Sequence, residues 1–280
     1  MTRPRRSLLF MPGANARALA KSRELPADGL IFDLEDAVAP DAKPGAREAV
    51  AAALAEGGYG RRVLVLRVNA LDSEWGGDDL AAAAAMPLDA VLLPKVESAE
   101  TVRAAAARLP ESMPAWCMLE TPLGILNARE IAASPRVEAL VMGTSDLTAD
   151  LRAATMPDRA PLMTALGLAL LAARAYRRAI LDGVHLDLAD EAGFAASCRQ
   201  GRALGFDGKT LIHPKQIAAA NEAFAPSAEE IAAARRIIDA HCEAVAAGRG
   251  IVVVDGRLVE NLHVAAAERT LALAAAIAGT

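Results

Sequence analysis

From Ser7 to His213 a short apolar or β-branched run is followed, eight times over, by a longer alanine-rich stretch of helical character. The strand candidates read as residues 7–11, 29–33, 62–68, 90–94, 116–120, 139–143, 179–186 and 209–213. Strands separated by helix-length segments need crossover connections and so lie parallel. Eight of them point to an α/β protein of the (β/α)8 TIM barrel class, a single-domain solution at about 250 residues. The competing arrangement, an open doubly wound sheet, has no GxGxxG after an early strand and no GxxxxGK[ST] anywhere to hold a nucleotide. Of the 280 residues 54% are hydrophobic but only 3% aromatic, so the core must be built from Ala, Leu, Val and Ile. Ser98 and Ser134-Pro135 read as helix starts.

After the eighth run the pattern changes. Ser227 and Glu230 form a capping-box pair. They open a helix in which Ile231, Arg235, Ile238, Cys242 and Val245 recur at three- and four-residue steps until Gly248. Two apolar runs flank Asp255-Gly256, a hairpin signal, and a last helix begins near Leu262. The expected division is a barrel over 1–222 and a helix–hairpin–helix extension over 223–280. The extension is surplus to a barrel, so it is expected to pack on a neighbouring subunit of a homo-oligomer.

Composition excludes several classes. A net charge of −5 gives no basic face for nucleic acid. Cys117, Cys198 and Cys242 contain no CxxC, so neither a zinc site nor a disulfide framework is indicated; buried thiols in a reducing cytosol are expected. The apolar stretch after Arg3, Arg5 and Arg6 reaches Pro12-Gly13 too soon for a signal peptide. The final LALAAAIA is far short of the roughly 20 residues of a membrane span. The expectation is a soluble, cytoplasmic protein without a membrane partner.

Barrel active sites lie at the C-terminal ends of the strands, and six of the eight runs end in polar groups: Asp33, Glu35 and Asp36; Arg67 and Asn69; Lys95 and Glu97; Glu120; Asp146; and His213. Glu120 and Asp146, from adjacent strands, are the metal candidates. Two hard oxygen ligands with water and a substrate oxygen suit Mg2+, and the lack of a histidine partner argues against zinc. The alternative is two solvated loop carboxylates, or one paired with Arg67. Arg67 has the planar fork for a carboxylate or a developing oxyanion, unless it is a packed structural arginine. Asp33, Glu35 and Asp36 would stand behind these groups, orienting metal-bound water or holding Lys95 and Arg67. Lys95 raises a Schiff-base alternative, disfavoured because the surrounding acids keep a lysine protonated. His213 reads as a cap on its strand end or as an acid.

At these residues the sequence resembles the citrate lyase β-chain and malyl-CoA lyase family. The matching segments are RRSLLFMPG, FDLEDAVAPDAK, LRVNA, LPKVES, MLETPLGILNA, GTSDLTADL, GFDGKTLIHPKQI and PSAEEIAAARRI, in order along nearly the whole chain. The resemblance implies a TIM barrel, a trimer or hexamer, and a Mg2+ on Glu120 and Asp146. It makes Arg67 the substrate-binding arginine, with Glu120 also at the substrate. The substrates it implies are CoA thioesters of β-hydroxy acids, cleaved by a lyase to a 2-oxo acid and an acyl-CoA. Arg67 would then stabilise the thioester enolate. The alternatives on the same site are a hydroxyacyl-CoA thioesterase and a CoA-independent 2-oxo-acid aldolase. Arg17 and Lys21, on the first helix, could meet CoA phosphates, as the N-terminal segment does in the family, or be solvated helix charges. The family's proton-transferring aspartate comes from a neighbouring subunit, shortly after a DGK segment. The stretch here is Asp255-Gly-Arg-Leu-Val-Glu260, so glutamate stands where the family has aspartate, and Glu260 is the candidate base.

Overall fold

The eight short and largely apolar runs become two apolar surfaces, one on each face of a single sheet. The computed structural model describes residues 3–248 and 251–279. Strands β1 (Ser7–Pro12), β2 (Gly29–Asp33), β3 (Val63–Arg67), β4 (Ala90–Leu93), β5 (Ala115–Leu119), β6 (Val137–Met142), β7 (Ala179–Asp182) and β8 (Gly208–Leu211) pair in chain order, all parallel. The ring closes where β1 meets β8. Leu8, Ile31, Val65, Leu92, Trp116, Val141 and Leu181 point inward and fill the barrel. Their neighbours of opposite parity, such as Leu9, Leu30, Leu66, Val91, Cys117 and Ile180, point outward into the layer under the helices. This is the closed (β/α)8 barrel that the alternation implied.

The helices of this unit are α1 (Ala16–Ser22), α2 (Lys43–Glu56), α3 (Gly76–Ala83), α4 (Ala99–Ala106), α5 (Pro122–Leu126), α6 (Ala128–Ala133), α7 (Thr144–Asp150), α8 (Met163–Ala175), α9 (Glu191–Leu204) and α10 (Ile217–Phe224). Ser98 caps α4 by accepting from the Thr101 amide. Ser134-Pro135 starts no helix. Ser134 follows the last residue of α6, and the chain runs into β6, because the residue before a proline is biased to extended backbone. The seventh strand is shorter than its apolar pattern: it stops at Asp182, whose own carboxylate accepts from the Gly183 amide and turns the chain out of the ladder. His213 caps the turn Pro214–Gln216, its Nδ1 accepting from the Lys215 amide.

Contacts divide the described residues into this barrel, Arg5–Phe224, and a second unit made of Arg3, Pro4 and the residues from Ala225 onward. The second unit comprises α11 (Ala228–Ala246), the hairpin β9 (Val252–Val254) and β10 (Arg257–Val259), and α12 (Asn261–Ala278). The Ser227–Glu230 capping box forms in both directions. Asp255 and Gly256 both take positive φ, as a two-residue type I′ turn requires. The buried positions of α11 are Ala234 and Ala244, and Val245, assigned to the apolar stripe, is exposed. Cys117 and Cys198 are buried, but Cys242 is exposed, contrary to the expectation of three buried thiols. Among the described residues no helix is long and apolar enough to cross a membrane.

With so few aromatics, Trp116 carries much of the barrel interior. It is fully buried, donates from Nε1 to Glu138 Oε2 at 2.9 Å, and stacks under Arg5 at 5.1 Å. Trp116→Ala is expected to cost about 3–5 kcal/mol of stability, read as a lowered urea midpoint at unchanged slope.

Candidate active site

The inward row of side chains turns polar as it leaves the barrel at the C-terminal ends of its strands. Two residues beyond Ile31, Val65 and Met118 come Asp33, Arg67 and Glu120, each on the same inward parity. They line a cavity of about 430 Å3 together with Phe10, Asp36, Asp146, Leu186 and Thr210.

Asp33 and Arg67 are direct register partners on β2 and β3. Arg67 Nε donates to Asp33 Oδ1 at 2.7 Å and Nη2 to Oδ2 at 2.6 Å, a fork-to-fork pair on two nearly buried side chains. Phe10 stacks on the guanidinium at 4.9 Å. Nη1 is left for other partners: Asp36 Oδ2 at 3.2 Å and Glu35 Oε2 at 2.7 Å. The Glu35 contact is short, but it lies off the hydrogen-bonding direction, so Oε2 gains charge attraction without an aligned bond. Burial works against the Arg67 charge, but the hydrogen bonds and charge of Asp33, with Glu35 and Asp36, outweigh it. The guanidinium is held above its ordinary pKa and stays cationic.

Glu120 is fixed by main chain. Its Oε1 accepts from the Lys95 amide at 2.7 Å, and Lys95 sits at φ 48°, an uncommon conformation for a residue with a side chain. Gly143 leaves the other flank open: a Cβ there would lie 2.4 Å from Glu120 Oε2. Burial, more than the neighbouring Asp146, pushes the Glu120 carboxyl up to about 6, against the pull of the Lys95 amide and of Arg67. Burial likewise pushes Glu35 up to about 7. Arg67 opposes the shift, and Asp36 and Glu120 add to it. Asp146 lies in the first turn of α7, with Oδ2 3.7 Å from Lys95 Nζ; the same Nζ is 3.5 Å from Glu35 Oε1. Partial burial disfavours the Lys95 charge, but Glu35, Asp36, Glu120 and Asp146 together raise its pKa, which suits a counter-ion and not an imine-forming amine.

Some supporting residues gave no sequence signal. Lys43, buried on α2, donates to Leu34 O, Glu35 O and Asn69 Oδ1 at 2.6–2.9 Å, holding the acidic turn from behind. Asp79 accepts from the Asn69 amide and side chain and pairs with Arg47 at 2.8 Å. Both links span residues remote in sequence, so no local pattern marks them. Of the other candidates, Arg17 and Lys21 are exposed on α1. Glu260 belongs to the second unit, where it precedes α12 and its amide donates to His263 Nδ1 at 3.0 Å.

Among the described residues no three His, Cys, Asp or Glu side chains cluster as a complete ligand set. Two carboxylates with open positions suit a hard cation that keeps several waters.

The pattern of the HpcH/HpaI aldolase/citrate lyase family matches residues 6–214. The chain belongs to this family. The family member is 53% identical over 275 residues to a (3S)-malyl-CoA thioesterase of Cereibacter sphaeroides, covering 98% of this chain and 96% of that one. It is 40% identical to the citrate lyase subunit beta of Escherichia coli K12, covering 93% and 90%. Its fold superposes, at a TM-score of 0.80 and 34% identity over 98% of both chains, on protein CitE of Mycobacterium tuberculosis in complex with magnesium, acetoacetate and coenzyme A.

The raised Glu120 carboxyl sets a pH dependence. A cation held by this carboxylate would have to displace the proton, so its binding would weaken where the acid form dominates. Affinity for Mg2+, measured by titration calorimetry, is expected to fall by up to about tenfold per pH unit below about 6 and to level off above about 7.

Proposed function

We propose that this chain is a Mg2+-dependent thioesterase for a malyl-CoA-like β-hydroxyacyl thioester, releasing the hydroxy acid and free CoA. The observation that carries it is the convergence of Glu120, Asp146 and the forked Arg67 on one cavity at the barrel mouth. Among the described residues, the cations paired with Asp33, Glu35, Asp36 and Asp146 there are Arg67 and Lys95; with Glu120 counted, the acids are in formal excess by three charges, which calls for a cation. Glu120 and Asp146 would hold Mg2+, with Asp33, Glu35 and Lys95 standing behind. When bound, the ion supplies a Lewis-acid site for the carboxylate and hydroxyl oxygens of the acyl group.

The chain's own residues account for the remaining steps. Arg67, locked by Asp33 and Phe10, would offer the oxygen that gains charge at the thioester carbonyl the Nη1 edge that now meets Asp36 and Glu35. Asp36 lines the cavity with its side chain 60% exposed, so its carboxylate is the proton acceptor that a water in the cavity would reach. Water adds its oxygen to the carbonyl carbon and the C–S bond breaks. The water proton passes through Asp36 Oδ2 to the departing thiolate. Arg17 and Lys21 would meet the CoA phosphates. The extension after residue 222 would pack on a neighbouring subunit of a trimer or hexamer.

Hydrolysis is favoured over the expected carbon–carbon lyase by the Cereibacter sphaeroides relatives and by glutamate in place of the family's aspartate at Glu260. The lyase is the second reading, supported by the citrate lyase subunit beta relatives: it uses the same metal pair and Arg67, with Glu260 moving the proton on the acyl carbon.

Incubation of the protein with Mg2+ and (3S)-malyl-CoA distinguishes the two. The expected result is free thiol and malate in equal amounts. Acetyl-CoA and glyoxylate without free thiol would replace hydrolysis by the lyase. Glu120→Ala and Asp146→Ala are each expected to weaken Mg2+ binding, and unchanged affinity in both would overturn the metal assignment. Asp36→Asn is expected to lower kcat about 10²-fold with little change in KM.

A further inference from the structure

Outside the cavity, the most demanding electrostatic feature of the barrel is a buried cluster in which one carboxylate serves two cations. Asp182, the last residue of β7, is fully buried, and Lys209 on β8 is 1% exposed. Asp182 Oδ2 accepts from Lys209 Nζ at 2.8 Å, and Arg159 Nη1 donates to both carboxylate oxygens at 2.7 and 2.8 Å. Arg159 Nε donates to Gln200 Oε1 at 2.7 Å, and Gln200 in turn donates to Asp158 O. Burial pushes the Asp182 carboxyl up, but Lys209 and Arg159 outweigh it and hold it below its ordinary range. Such clusters are often no more stabilising than apolar packing of the same volume, so what this one holds in place matters more than what it adds to stability.

It holds both ends of the segment that carries Asp146. At one end, Asp182 Oδ1 accepts from the Gly183 amide at 2.8 Å and fixes the turn after β7. A Cβ at Gly183 would stand 2.3 Å from Thr144 Oγ1 and 2.6 Å from its Cγ2, so Thr144, the first residue of α7, rests directly on that turn. Asp146 is two residues further on. At the other end, the connection leaving α7 has few apolar anchors: Leu151 and Met156 are 43% and 45% exposed. It returns to the barrel at Arg159, which is held at φ 56°, an uncommon and costly conformation for a residue with a side chain.

We propose that Asp182 is a positioning residue for Asp146, acting through Gly183 and Thr144 on one side of α7 and through Arg159 on the other. This rests on Asp146 being a Mg2+ ligand, and it assigns the buried cluster the task of aiming that ligand. Asp182 is fully buried and is not one of the residues lining the cavity.

Arg159→Met is the test of choice, because Asp182 and Lys209 remain a neutral pair, whereas substituting Asp182 would strand two buried cations. Mg2+ affinity of the folded protein is read by calorimetry, beside a thermal melt and the steady-state constants. Arg159→Met is expected to weaken Mg2+ binding about tenfold, the lower end for groups that orient a metal ligand. Arg159→Lys, which still offers a cation to Asp182, is expected to recover most of it. Gly183→Ala, which presses on Thr144 without altering any charge, is expected to weaken binding as well. A lowered melting temperature with unchanged Mg2+ affinity in both Arg159→Met and Gly183→Ala would make the cluster purely structural and overturn the proposal. Asp146→Ala serves as the reference. If it leaves the affinity unchanged, the metal assignment fails and takes this proposal with it. If it weakens binding while Arg159→Met and Gly183→Ala do not, the positioning role alone fails.

Discussion

The ion pair between Asp33 and Arg67 is the constraint on which the mouth of the barrel is built. Both side chains are nearly buried, and either alone would leave an uncompensated charge in an apolar wall. Together they satisfy one another only because β2 and β3 are in register at these residues. A slip of one residue would send both into the helix layer. The same carboxylate accepts from the Glu35 and Ala37 amides, so it also bends the chain into the acidic turn that follows. Lys43 closes the turn from behind. One register partner thus sets the direction of the guanidinium and the position of Glu35 and Asp36.

Around that pair the charges are distributed unevenly on purpose of chemistry and at some cost to the apoprotein. Glu120 and Glu35 are buried where their charged forms are poorly solvated, and the two cations nearby do not balance the acids. A site arranged this way favours a bound cation. It does not by itself decide what happens next. Relatives with a thioesterase name and relatives with a citrate lyase name share the scaffold. Thioester hydrolysis and carbon–carbon cleavage next to a thioester both place developing negative charge on the thioester carbonyl oxygen, so one scaffold suits either reaction.

Much of the barrel was legible because eight short apolar runs recur between helix-length stretches, and the candidate residues were found by reading which runs end in polar groups. Once Ile31, Val65 and Met118 point inward, Asp33, Arg67 and Glu120 must follow them to the mouth. The hairpin and the capping box of the second unit were legible because Asp255-Gly256 and Ser227–Glu230 act over a few residues. What escaped depends on residues that meet only in space. Lys43 looks like an ordinary lysine at the start of a helix, yet its ammonium holds a turn eight residues earlier and Asn69 far ahead. Asp182 lay within what read as a longer strand, and nothing in its neighbourhood announces Arg159 or Lys209. Ser134-Pro135 misled because the same dipeptide can open a helix or deliver an extended chain into a strand.

The grip on Glu120 has an evolutionary consequence. Its partner is the amide of Lys95, a donor that nineteen of the twenty amino acids carry unchanged. Only proline would remove it. The side chain at position 95 can therefore drift, altering the charge above the cavity, while the carboxylate keeps its orientation; the backbone conformation at φ 48° biases that drift toward glycine and asparagine. A family that varies its reaction on one scaffold gains from this separation, since the electrostatic setting of the site is open to mutation and the aim of Glu120 is not.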